Sequence, residues 1–167
     1  MPYKRKTWRE KLADKNGLPK IIKLEERYPC YQALHRMGAE AGDDIVLVNP
    51  REVVDLMRAV PPGKVTTIDA ICRAIATRYQ VRGCCPLTAG IFIMTAARAV
   101  EETMGTDDTF DVPYWRTLKT DGYLNEKFPG GAAGHKQLLE NEGFKVVARG
   151  KRFCVQDYRD YLADLGA

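Results

Sequence analysis

The sequence predicts a mainly helical domain with a small β component, an α+β fold. Three observations predict it: three long apolar-periodic segments between residues 49 and 104, proline and glycine punctuation between them, and a short alternating pair of runs around Gly150. At 167 residues, with 45% hydrophobic and 29% charged positions, the chain is long enough for a sizeable core. The expectation is one domain over residues 49–167, preceded by an extension over residues 1–48 that serves as arm or cover.

Residues 1–42 are polar and broken by Gly17, Pro19, Pro29, Gly38 and Gly42, so only "TWREKLAD" reads as a short helix there. "DDIVLV" reads as a strand. In "NPREVVDLMRAV" Asn49 is placed as N-cap, Pro50 at the first helical position and Glu52 at the third, the pattern of a capping box. "PPG" at 61–63 closes that helix. Thr67 then caps "TTIDAICRAIATRY", whose Ile68, Ile71, Cys72 and Ile75 share one stripe. "RGCCP" ends it, and "LTAGIFIMTAARAVEETM" is apolar on nearly all sides at first, so it is expected to be buried along most of its length. "PYWRTLKTDG" reads as an extended run ending in an Asp-Gly turn. A short helix over 133–142, closed by Gly143, follows. A hairpin around Gly150 and a last helix capped by Asp157 complete the chain. Three closely connected helices followed by a hairpin is the element order of a winged-helix domain.

Net charge is +4 and the isoelectric point about 8.8, a mild bias compatible with a nucleic acid. Much of the excess lies in "MPYKRKTWREKLADKNGLPKIIK", readable either as a solvated tail or as an arm that contacts phosphates. No apolar run approaches the ~18–20 residues needed to span a bilayer. The basic N-terminus has no apolar stretch behind it, so a cytoplasmic monomer is expected. The five cysteines, Cys30, Cys72, Cys84, Cys85 and Cys154, are irregularly spaced, and with two histidines they form no zinc pattern. No disulfide framework, metal or cofactor is expected.

Three segments occur in order: "VPPGKVTTIDAI" (60–71), "VPYWRTLKTDGYLN" (112–125) and "GGAAGHKQLLENEGF" (130–144). Together they resemble the DNA-binding domain of the alkylguanine-DNA alkyltransferase family and its alkyltransferase-like relatives. In that family they run I-P-x-G-x-V-x-T-Y-G, P-C-H-R-V-x-x-x-D-G and G-G-x-x-x-K-x-x-L-L-x-x-E-G. The resemblance covers about residues 53–144. It implies a domain that binds double-stranded DNA, with modified bases as the candidate target, and no membrane. Where the family carries its alkyl-accepting cysteine and the histidine beside it, this chain has Tyr114 and Trp115. A phenol with a pKa near ~10 is a poor acceptor at neutral pH, and an indole is no general base. Family-type alkyl transfer is therefore not expected, and the resemblance is nearest to the alkyltransferase-like proteins, which lack the cysteine too.

The residues implied to face DNA are Thr66, Thr67, Thr88, Arg98, Tyr114, Trp115, Arg116 and Lys119. Rotating a base out of a duplex costs a few kcal/mol, and stacking on an aromatic wall returns about 1–3 kcal/mol. Tyr114 and Trp115 would supply that wall, with Arg116 bracing it; the other reading makes both rings core filler and puts Arg116 in an ion pair. Thr66 and Thr67 precede a helix and suit either a phosphate or simple capping. The family tyrosine that helps turn the nucleotide out is replaced by Ile68. Ala97-Arg98-Ala99-Val100 matches the family's finger motif in letters, whereas alignment by helix start puts Thr88 there. Cys84 and Cys85 precede the third helix, where a thiol can be activated or simply buried. If activated, either would make the chain an alkyl-transfer enzyme with a different nucleophile. A winged-helix regulatory module with a filled pocket is the further alternative.

Overall fold

The computed structural model describes residues 2–166. Helix α1 (Trp8–Ala13) forms where the sequence predicts it, capped reciprocally by Thr7 and Glu10. The rest of the N-terminal segment is more regular than its glycines and prolines suggest. Strand β1 (Lys20–Lys23) pairs antiparallel with β2 (Asp44–Leu47), and α2 (Tyr31–Arg36) lies between them in sequence. Strand β4 (Gly83–Cys84), read from sequence only as a break, pairs parallel with the other edge of β2. This three-stranded sheet buries Leu24, Leu34, Ile45 and Cys85.

Helix α3 (Pro50–Arg58) starts as predicted, with the Glu52 amide donating to Asn49 Oδ1 at 3.0 Å. The reciprocal half of the expected capping box is absent. The Glu52 carboxylate instead accepts from the Tyr79 hydroxyl at 2.8 Å, tying α3 to the end of α4 (Ile68–Tyr79). Burial and then this bond push the Tyr79 phenol up to about 12. Helix α5 (Pro86–Thr103) packs across α3 and α4, and Val53, Met57, Ile71, Ile75, Ile93 and Ala96 fill the space among the three. Helix α5 buries one face, from Ala89 to Val100, and the expected burial along most of its length is not met: Leu87 and Ile91 in its apolar first half are 49% and 63% exposed.

The second half hangs on a two-residue parallel pairing between β3 (Thr66–Thr67) and β5 (Thr117–Leu118). Helix α6 (Gly131–Asn141) and the hairpin β6 (Val146–Arg149) and β7 (Arg152–Val155) enclose a smaller core of Val65, Leu118, Leu139, Phe144 and Val155. Gly122 must be glycine twice over: its φ is +81°, and a Cβ there would run into the Tyr158 ring. The expected C-terminal helix is reduced to one 3-10 turn, Tyr158–Tyr161. Asp157 sits in the left-handed region (φ 54°) without capping it. The Val65 amide donates to the Tyr161 carbonyl, and the Ala163 amide donates to that of Val65, so the backbone is drawn out into a bridge. Among the described residues no helix is long and apolar enough to cross a membrane.

Candidate nucleic-acid interface

The segment Pro113–Leu118 is a 3-10 turn over Tyr114–Arg116 leading into β5; it is not the extended run its sequence suggests. Turning this tightly sends its three long side chains to separate environments. Tyr114 points inward and is 1% exposed, edge-on to Trp115 and Phe128 at centroid distances of 5.5 and 5.1 Å. Its hydroxyl donates to Glu101 Oε1 at 2.9 Å. Burial first, then the Glu101 bond, raises the phenol pKa far above its usual 10. The expectation of a Tyr114 wall open to a base is therefore corrected: both ring faces are spent on the core.

Trp115 is half-buried, and its indole N–H donates to Glu142 Oε2 at 3.1 Å. Arg116 Nε donates to the two oxygens of the same carboxylate at 2.9 and 3.1 Å, Nη2 adds a further bond to it, and Nη1 reaches the Val60 carbonyl at 2.9 Å. With side chains only 12% and 17% exposed, Arg116 and Glu142 form a bidentate pair that holds the turn to α6 and to the end of α3. Trp115 and Arg116 thus brace the segment and present neither a stacking face nor a free guanidinium. Beneath them His135 accepts the Asn125 amide at Nδ1 (3.0 Å), which leaves Nε2 to donate to the Trp115 carbonyl (2.7 Å).

Thr66 and Thr67 are both buried, at 0% and 7% exposure. Thr67 Oγ1 caps α4 by accepting the Ala70 amide at 3.1 Å. Thr66 is wholly buried opposite Thr117, and neither of those two hydroxyls has a hydrogen-bond partner among the described residues. Pairing of β3 with β5 draws this stretch into the core, which sequence spacing alone did not reveal. Lys119 is partly exposed at the far end of β5, 3.5 Å from Glu126. Thr88 is half-buried in the first turn of α5, whose N-cap Cys85 makes no side-chain capping bond.

Arg98 is exposed, but it is the thirteenth of the 18 residues of α5, far from the helix start. Its guanidinium lies 4.7 Å from the ring centroid of Trp8, and both border an open cleft of about 470 Å³ with Glu101, Glu102, Lys127 and Pro129. Nothing in the sequence pattern marks Trp8 out; the only hint is an aromatic ring set within the basic run "KRKTWREK". Cys84 and Cys85 are 0% and 4% exposed, so neither thiol is open to a substrate. Cys85 is the thiol partner of Cys30, whose pKa is pushed up to about 11 by burial and then by that neighbour. Cys84 partners Cys72, which its hydrogen bond with Cys84 and then burial push well above its usual value.

Against known proteins, residues 49–144 match the family described as 6-O-methylguanine DNA methyltransferase, DNA binding domain. A crystal structure of the S. pombe ATL protein in complex with DNA superposes with a TM-score of 0.51 at 21% identity, covering 69% of this chain and 94% of that one. A second, of S. pombe Atl1 in complex with damaged DNA containing O6-carboxymethylguanine, gives a TM-score of 0.48 with the same identity and coverage. No curated protein matches the chain.

Proposed function

From the premise that the chain belongs to the family of the 6-O-methylguanine DNA methyltransferase DNA-binding domain, we propose that it is a non-catalytic DNA-binding protein of the alkyltransferase-like kind. Its target on this reading is duplex DNA, with alkylated or otherwise modified bases as the preferred sites. The observation that carries the proposal is the acceptor position itself. Tyr114 replaces the cysteine, is sealed in the core, and has a phenol held in its neutral form by burial and Glu101. The buried Cys84 and Cys85 offer no substitute nucleophile. Residues 49–167 act as the DNA-binding unit and residues 1–48 as its extension. Arg98, Thr88 and Lys119 are the DNA-facing side chains; the Trp115–Arg116–Glu142 brace fixes the turn that precedes Lys119. The protein works as a monomer in the cytoplasm, on the nucleoid when bound.

Fluorescence anisotropy with duplexes that do or do not carry one O6-alkylguanine, repeated over a salt series, tests this. Binding should weaken linearly in log–log coordinates as phosphates recapture counterions, and the modified duplex should bind more tightly. Intact-protein mass should stay unchanged after incubation. Salt-insensitive failure to bind either duplex rejects the proposal, and alkyl label on the protein rejects its non-catalytic part. Burial of Tyr114 also favours a second reading, a winged-helix module whose former pocket is filled. Equal affinity for the two duplexes selects that reading.

A further inference from the structure

Many cations of this chain answer to a carboxylate: Arg9 to Asp108, Arg116 to Glu142, Lys119 to Glu126, Lys136 to Glu140. The tip of the β6–β7 hairpin differs. Its register sets Arg149 directly across from Arg152, with Gly150 and Lys151 forming the turn between them. Gly150 has φ +65°, which makes the two-residue turn possible. All four residues are exposed, and among the described residues none of the three cations forms an ion pair. Like charges directly opposite each other weaken a hairpin. The Tyr123 ring and the nearby Glu126 carboxylate offset the Arg152 charge in part, but Arg149 and Lys151 form no ion pair among the described residues, and departures of that kind concentrate where a partner supplies the missing interaction.

The tip is also held in place. The Arg152 guanidinium lies 3.8 Å from the ring centroid of Tyr123. Tyr123 in turn bridges to Cys154 and accepts the Lys119 amide at its carbonyl (2.8 Å). The hairpin is thereby tied to the segment that carries Lys119. A cleft of about 840 Å³ beside it is lined by Lys145, Arg149 and Arg159, but also by Asp121, Asp157 and Asp160. Those carboxylates repel a polyanion, so DNA meets the tip and not the cleft.

We infer that Arg149, Lys151 and Arg152 form a second grip on the phosphodiester backbone of duplex DNA, outside the family-matched segment 49–144. This rests on the DNA-binding role proposed above and adds a surface to it. The grip carries no base information: it adds affinity for any sequence and steepens the salt dependence.

The decisive variant is Arg149→Glu combined with Lys151→Ala, compared with wild type and with Lys20→Glu, which lies on β1. Glutamate opposite Arg152 turns a repulsive cross-strand pair into an attractive one, so the melting temperature should hold or rise. The slope of log affinity against log salt should shrink by up to about 2, since each phosphate that the protein no longer neutralises lowers it by about 0.9. Affinity should fall to a similar degree for modified and unmodified duplexes, and Lys20→Glu should leave the slope alone. An unchanged slope in the hairpin variant overturns this inference while leaving wild-type DNA binding intact. A slope equally reduced by Lys20→Glu also overturns it, because the effect would then be one of net charge. Absence of binding by the wild type overturns the underlying role and this grip with it.

Discussion

Acid should loosen the Trp115 turn through one side chain, His135. The ring is completely buried and uses Nδ1 as an acceptor and Nε2 as a donor, so it must be neutral in the folded chain. Burial lowers its pKa from the usual 6.5 to about 4, against a smaller opposing effect of the Trp115 carbonyl. At about 1.4 kcal/mol per pH unit, the difference is worth about 3 kcal/mol, a large share of the ~5–15 kcal/mol that stabilises a typical domain. The sign follows from proton uptake. Below pH 6.5 the unfolded chain gains a proton that the native chain refuses until about pH 4, so the contribution is complete above 6.5 and is lost as pH falls through that window. Urea denaturation of wild type and His135→Gln at closely spaced pH values from about 7.5 to 3.5 measures it. Carboxylates titrate in both proteins and cancel in the difference. The stability gap between the two should shrink by about 3 kcal/mol on acidification. Parallel curves would show that His135 does not titrate differently on folding, and the argument for a neutral, bridging imidazole would fail.

Removing the partner of Arg116 with Glu142→Ala should cost about 3–5 kcal/mol in denaturation experiments, since it strands a nearly buried guanidinium; adding Arg116→Met should restore much of that loss. Thr66→Val and Thr117→Val each remove a buried hydroxyl without a partner, so melting should be unchanged or improved by about 1 kcal/mol, with DNA affinity unaltered. Tyr114→Phe deletes only the bond to Glu101; about 1 kcal/mol of stability should be lost and anisotropy titrations should match wild type, because the ring meets no ligand. Arg98→Ala should weaken binding to all duplexes alike and lower the salt slope by about 1.

The helices were legible because their signals are local. Asn49 and Thr67 cap where they should, Pro50 occupies the first turn of α3, and the apolar stripes of α3 and α4 face α5; α5 begins at Pro86, one residue before the sequence reading starts it. The hairpin was legible from Gly150 and its flanking alternation. Some misses are local, as with α2 and the last helix that shrank to a 3-10 turn; the others are non-local. Strand β4 exists only because β2 offers it an edge, and β3 and β5 are two residues each, too short for periodicity to register. The same pairing buried Thr66 and pulled the Tyr114 segment into a turn. The site reading suffered accordingly: residue types were right for stacking, but a ring's direction depends on the turn geometry that this long-range pairing sets. Trp8 and the Arg149–Arg152 tip carry no local signal because each gains its meaning from a neighbour across space, Arg98 for one and Tyr123 for the other.

A net charge of +4 is too small to explain DNA binding by itself, so the distribution has to do so. The C-terminal end of α5 and the loop after it carry Glu101, Glu102, Asp107 and Asp108, beside Arg98 and at the negative end of the helix dipole. Left bare, that cluster would repel the phosphates that Arg98 is proposed to approach. The N-terminal segment offsets it. The Glu102 carboxylate sits at the positive end of α1 and accepts the Trp8 amide at 3.0 Å, one of the donors that a helix start leaves open. Arg9 pairs with Asp108 at 2.7 Å, and Tyr114 takes up one oxygen of Glu101. The Arg9 charge offsets that of Asp108, while Lys4, Arg5 and Lys11 arrive on the same short segment as counter-charges to Glu101 and Glu102. The extension therefore acts on the α5 face electrostatically whether or not it touches DNA.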